Sequence, residues 1–148
     1  MSKVACDEGH EMGVQNLSFE AWLSQVPESI RTERYWQLTA YQKALYLFDL
    51  TWQDTQKWLR DARGQALARQ MVASADSICA NIEEGYRHGF GKQLLYFYTV
   101  ALGSARETKG RLYRAKAFFS PDILHERLTL ASEVVALLLV EINRQKRR

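Results

Sequence analysis

The sequence predicts an all-α protein: an antiparallel up-down four-helix bundle with a short extra helix at its N-terminus. Three observations carry this reading. Apolar residues recur at three- and four-residue steps through four long stretches, which is the period of a helix with one buried face. Both prolines, Pro27 and Pro121, stand outside those stretches, and strand signals are few. At 148 residues and 47% apolar content, the chain suits one compact unit with a sizeable core. The expected division is an acidic leader over residues 1–32 and a bundle with a basic C-terminal tail over residues 33–148.

Residues 1–17 read as loosely ordered, with polar residues and two glycines. Ser18 is placed to cap a short helix ending at Gln25, which carries Phe19, Trp22 and Leu23. Pro27 interrupts it. Two bulky aromatics imply that this helix docks on something, its own bundle before any partner. The first long helix is expected from about Glu33 to Ala62, with Tyr41, Leu45, Phe48, Trp52, Thr55 and Leu59 as its stripe and Trp36 and Trp58 extending it. A tryptophan stripe at this spacing reads as core before it reads as a base-stacking platform.

Gly64 marks the next expected break. The second helix, about Gln65 to Glu84, places Leu67, Met71, Ala75, Ile78 and Ile82 on one face and is expected to end at Gly85. A basic glycine turn, His88 to Lys92, opens the third helix, whose N-terminus is a place where an anion is favoured. That helix is expected to run to about Phe119. It holds Ala101, Gly103, Ser104 and Ala105, small residues that permit close helix approach, and Gly103 is expected to have a packing reason. Ser120, Pro121 and Asp122 start the fourth helix as N-cap, first-position proline and first-turn acid. From Val134 to Val140 this helix is apolar nearly all round, so Val134 and Leu138 are expected at a contact with another subunit.

The net charge of +3 hides an asymmetry. Residues 1–33 hold two basic and six acidic residues; residues 34–148 hold eighteen basic against eleven acidic, a net of +7. A basic bundle permits a polyanionic partner. The densest cations are Arg106, Lys109, Arg111 and Arg114 in the third helix and Arg144, Lys146, Arg147 and Arg148 at the C-terminus. Two readings stay open for them, a solvated helical face and a phosphate-contacting strip.

No catalytic constellation stands out. There is no Glu-x-x-His pair of the kind di-iron bundles use, no phosphate-binding Gly-Lys-Ser/Thr loop, and His10, His88 and His125 are scattered. Cys6 and Cys79 make neither a disulfide framework nor a metal spacing. No metal or cofactor is expected. The longest aliphatic run is far short of a membrane span, and a cytoplasmic protein is expected. Asn81, Glu84 and Glu107 sit among apolar neighbours and are read as interhelical hydrogen bonds that fix register.

Ser77-Ile78, Asn81-Ile82, Glu84-Gly85-Tyr86, Lys92 and Ala101-Leu102-Gly103-Ser104 with Glu107 resemble the signature of the bacterial four-helix bundle, or ribosomal-RNA intervening-sequence, protein family. The resemblance covers roughly Tyr41 to Asn143. It implies a non-enzymatic homo-oligomer, a ring-like pentamer. It also implies kinship with the accessory determinant of diversity-generating retroelements, which works with a reverse transcriptase and binds nucleic acid. Val72 and Ala73 stand where the family often has basic residues and alanine, and Asp76 where it often has an apolar one. These departures remove positive charge from the second helix. The expected function is therefore a nucleic-acid-associated accessory protein for RNA or DNA, the competing class being a protein–protein scaffold without nucleic-acid contact.

Overall fold

The computed structural model describes residues 17–148. The loosely ordered start expected before residue 17, with Cys6 and His10, lies outside that range. Every regular element among the described residues is a helix: α1 (Phe19–Gln25), α2 (Glu28–Arg31), α3 (Thr39–Gln56), α4 (Ala62–His88), α5 (Lys92–Arg114) and α6 (Pro121–Lys146). Short 3₁₀ turns at Arg34–Gln37, Lys57–Arg60 and Lys116–Phe118 join them.

The four long helices enclose one core, with α3 against α4 and α6, and α5 against α4 and α6. Ala44, Leu47, Ile78, Ile82, Ala101 and Ala105 are wholly buried there. Full burial of a leucine or isoleucine side chain contributes about 1.5–3 kcal/mol. Polar contacts fix how the helices lie together. Along α4 and α5 they join Gln70 to Arg111, Ser74 to Thr108 and Ser77 to Ser104. Between α3 and α6 they join Lys43 to Glu133 and Asp54 to Arg127. In both sets, positions rise along one helix as they fall along the other.

The leader helix packs on its own chain. Ser18 accepts from the Ala21 N–H, as its position before the helix requires. Trp22 is buried and donates from Nε1 to Asp49 at 2.8 Å. Phe19 lies 5.5 Å from the Tyr46 ring, with the Lys43 ammonium 3.9 Å from its own centroid.

Several expectations shift in detail. The first long helix is shorter at both ends, where 3₁₀ turns replace it. Gly64 lies inside α4 rather than before it, because the Asp61 carboxylate caps the Arg63 and Gly64 N–H groups. A β-carbon at Gly64 would sit 2.2 Å from the Trp58 carbonyl oxygen. Nor does Gly85 end the helix. It packs against the Tyr98 ring, where a β-carbon would come within 3.1 Å, and α4 continues to His88. The left-handed cap falls on Gly89 at φ 76°. The third helix stops at Arg114, and the chain up to Phe118 is a 3₁₀ turn that sets Phe118 on Trp58 at 5.0 Å. Gly103 has no packing reason among the described residues, since a β-carbon there meets nothing of them within 4 Å.

The largest correction concerns α6. Val134 and Leu138 are 0% exposed in the single chain. They belong to the core and are closed to another subunit. The large apolar residue that α6 turns outward is Val140, 64% exposed. Four helices around one core can bury more than half of a helix's circumference, so an almost wholly apolar segment does not by itself require a partner.

Candidate nucleic-acid interface

The eight cations expected to contact phosphate do not form one strip. Arg111 sits at the level of Gln70 on α4, while Arg144 and Arg148 share a pocket with Tyr86 and Gly89 at the other end of that helix. Gln70 and Tyr86 are sixteen residues apart in α4, roughly 24 Å along the axis. The α5 group and the C-terminal group therefore occupy different parts of the surface.

Within the α5 group, Arg106, Lys109 and Arg114 are exposed. Arg111 is turned into the α4–α5 seam. It donates to Gln70 Oε1, lies 4.0 Å from Glu107, and keeps only 23% of its side chain exposed. Its Nε is buried without a partner among the described residues. Arg111 is thus engaged within the fold, and the other three are free to meet solvent.

The C-terminal group is better assembled. Arg144 donates to Glu141 at 2.9 Å, which holds it in place while leaving 60% of its side chain exposed. Lys146, Arg147 and Arg148 are all exposed. The fold adds Arg34, from the turn before α3, to the same pocket as Arg144 and Arg148. The α4–α5 turn beside it presents Phe90, 84% exposed. Sequence reasoning missed Arg34, because nothing in the sequence ties the leader turn to the end of α6.

The polar residues singled out in the sequence divide. Asn81 donates from Nδ2 to the Ser77 carbonyl at 2.8 Å and to Ser77 Oγ at 3.0 Å; Ser77 Oγ in turn lies 2.8 Å from Ser104 Oγ on α5. Asn81 therefore supports a link between helices through Ser77. Among the described residues Glu84 and Glu107 make no such link. Glu84 meets Arg87 at 3.6 Å and His88 at 3.3 Å on its own helix, a pairing made possible because α4 passes through Gly85. Glu107 is 63% exposed and its partner Arg111 is on its own helix. Small hydroxyl residues, Ser74, Ser77, Ser104 and Thr108, carry the link instead. Their short side chains bridge where the backbones come close, and a glutamate is too long for that seam.

A model of the 23S rRNA-intervening sequence protein family matches residues 36–139. The chain belongs to this family. No curated protein and no solved structure matches it. In this intervening-sequence protein, Arg34, Arg144 and Arg148 all lie outside the matched stretch. The pocket they line joins these flanking cations to Gln37, Tyr86, Gly89, Leu94 and Tyr98 from within the matched stretch. Among the described residues no three His, Cys, Asp or Glu side chains are grouped to hold a metal, and no helix is long and apolar enough to cross a membrane.

Proposed function

We propose that this intervening-sequence protein is a nucleic-acid-associated accessory protein without catalysis of its own. It acts as a cytoplasmic homo-oligomer of antiparallel four-helix bundles, most simply the pentamer the family resemblance implies. It meets RNA or DNA phosphates through the cationic end of its bundle and serves a larger complex, such as one built on a reverse transcriptase. One observation carries the reading: Arg34, Arg144 and Arg148 converge at that end, with Lys146 and Arg147 exposed on the same helix terminus and Phe90 on the adjoining turn. Cations there neutralise phosphates, and an exposed aromatic offers a face for a base. The family's reference to rRNA agrees with a nucleic-acid partner. Repetition around an oligomer multiplies weak contacts into useful avidity.

A second reading, a protein scaffold, is favoured by a different feature. An apolar groove of about 490 Å³ runs between α3 and α4, with Trp52 55% and Leu59 52% exposed on it. Such a surface suits a protein contact, a second copy of this chain included.

Binding of labelled single-stranded RNA and duplex DNA separates these readings. Three proteins are compared: wild type, Arg147→Glu with Arg148→Glu, and Lys109→Glu with Arg114→Glu. The C-terminal reversal is expected to weaken binding by about tenfold or more, and the α5 reversal by less. The opposite order would move the interface to α5. Equal binding by all three would remove both groups.

A further inference from the structure

The pocket at the cationic end has a composition that a solvated helix terminus does not need. Arg34, Arg144 and Arg148 line it with Gln37, Tyr86 and Gln145, around a space of about 220 Å³. Its one carboxylate, Glu141, is 7% exposed and already engaged. Arg144 donates to it at 2.9 Å, and Gln145 Nε2 donates to it at 2.9 Å. Among the described residues no carboxylate pairs with Arg34 or Arg148. The side chains around the pocket therefore carry three positive charges and one negative, a surplus of two. Tyr86 and Tyr98 stand together in the pocket wall, ring centroids 6.5 Å apart, so that phenol groups accompany the cations.

We infer that this pocket binds a phosphate monoester, presented as a free nucleoside monophosphate or as the phosphorylated end of an oligonucleotide. The charge favours the class. A phosphate monoester carries about −1.5 to −2 at neutral pH and so draws more on a cationic pocket than a diester within a chain, which carries one charge. Guanidinium forks suit phosphate oxygens, and each offers paired donors in fixed geometry. Shape agrees, since a concave pocket closed by the Gly89 turn on one side accepts a chain end more readily than a strand that must enter and leave. Glu141 contributes by fixing Arg144 and Gln145 before the ligand arrives, so less is lost in ordering them. The oligonucleotide form of the ligand rests on the nucleic-acid reading above; the free nucleotide form stands without it.

The test uses the full chain and four probes: adenosine 5′-monophosphate, adenosine, and one labelled RNA oligonucleotide with a 5′-phosphate or a 5′-hydroxyl. Calorimetry follows the small molecules and fluorescence anisotropy the oligonucleotides. The nucleotide is expected to bind where adenosine does not. The phosphorylated oligonucleotide is expected to bind about tenfold more tightly than its hydroxyl twin, the worth of a charge-assisted contact. Arg34→Gln, at an exposed side chain, should abolish both differences, lowering affinity for the phosphorylated oligonucleotide more than for its hydroxyl twin. Tyr86→Phe, which removes only the hydroxyl, should reduce both. Nucleotide binding without any oligonucleotide binding would keep the pocket and overturn the nucleic-acid reading. Oligonucleotide binding with no preference for the phosphate end, and no nucleotide binding, would overturn the pocket and leave that reading in place. Nucleotide binding undiminished in Arg34→Gln would also overturn the assignment.

Discussion

Arg127 of α6 donates from Nε to Asp54 of α3 at 2.7 Å, and the two side chains are only 5% and 6% exposed. A second donor, Nη2, reaches the other carboxylate oxygen at 3.2 Å. This two-point pairing is set among apolar core residues, where a lone charge is costly. Arg127→Ala and Asp54→Ala should each destabilise the fold by about 3 kcal/mol, because each removes one half of a buried, two-point ion pair. Replacing both, Arg127→Met with Asp54→Leu, should cost far less than the sum of the single changes. Urea denaturation of the four proteins checks this, and strictly additive losses would show that the two residues act independently.

The sequence already held a sign of that pair. Arg127 falls in register with the buried Leu130, Ala131 and Val134, and Asp54 with Leu47, Leu50 and Thr51. A charged residue at a core position on each of two helices signals a buried pair. The all-helical class and the start of α6 at Ser120-Pro121 were legible for the same kind of reason, since period and capping are local. What was not legible depends on how distant segments meet. Gly85 has the identity of a helix end but serves close packing against Tyr98. Val134 and Leu138 carry an apolar pattern that fits a core and an interface equally well. Arg34 joins Arg144 and Arg148 only through the tertiary fold.

The α4–α5 seam yields a contrast. Asn81→Ala removes a donor to Ser77, which bridges to Ser104, and should cost about 1 kcal/mol. Glu107→Ala, at a side chain 63% exposed, should change stability by less than about 0.5 kcal/mol. Thermal melts of both variants decide it. A larger loss for Glu107→Ala would show that Glu107 has a contact beyond its own helix.

Asp49 provides a pH dependence. Burial pushes its carboxyl above the usual range, and the hydrogen bond from Trp22 Nε1 offsets only part of that. A raised pKa means the folded chain holds the proton more tightly than the unfolded one. The associated stability is present below the ordinary aspartate range and is lost as pH rises through the raised value. Asp49→Asn does not titrate there. Wild type should therefore lose stability relative to Asp49→Asn as pH rises from about 4 through the raised value. Melting temperatures of the two proteins across that span supply the comparison, and a constant difference would contradict the assignment.

Assembly is tested at an exposed position rather than a core one. Light scattering on the wild type should report a multiple of the 17.1 kDa chain. Trp52→Asp, at the apolar groove, should lower that mass while circular dichroism shows the helices intact. Leu138→Lys should instead unfold the chain, because Leu138 is 0% exposed within it. A wild-type monomer at working concentrations would contradict self-association.

If the cationic end of the bundle holds nucleic-acid phosphates, binding must fall with salt as phosphate contacts do. Affinity for single-stranded RNA is measured between roughly 50 and 200 mM salt, where each neutralised phosphate contributes a slope of about −0.7 in log K against log salt. The account predicts clear binding at low salt, a steep fall across the range, and a shallower slope for Arg147→Glu with Arg148→Glu. No binding by the wild type to RNA or DNA even at the lowest salt would contradict it and leave the protein-scaffold reading in its place.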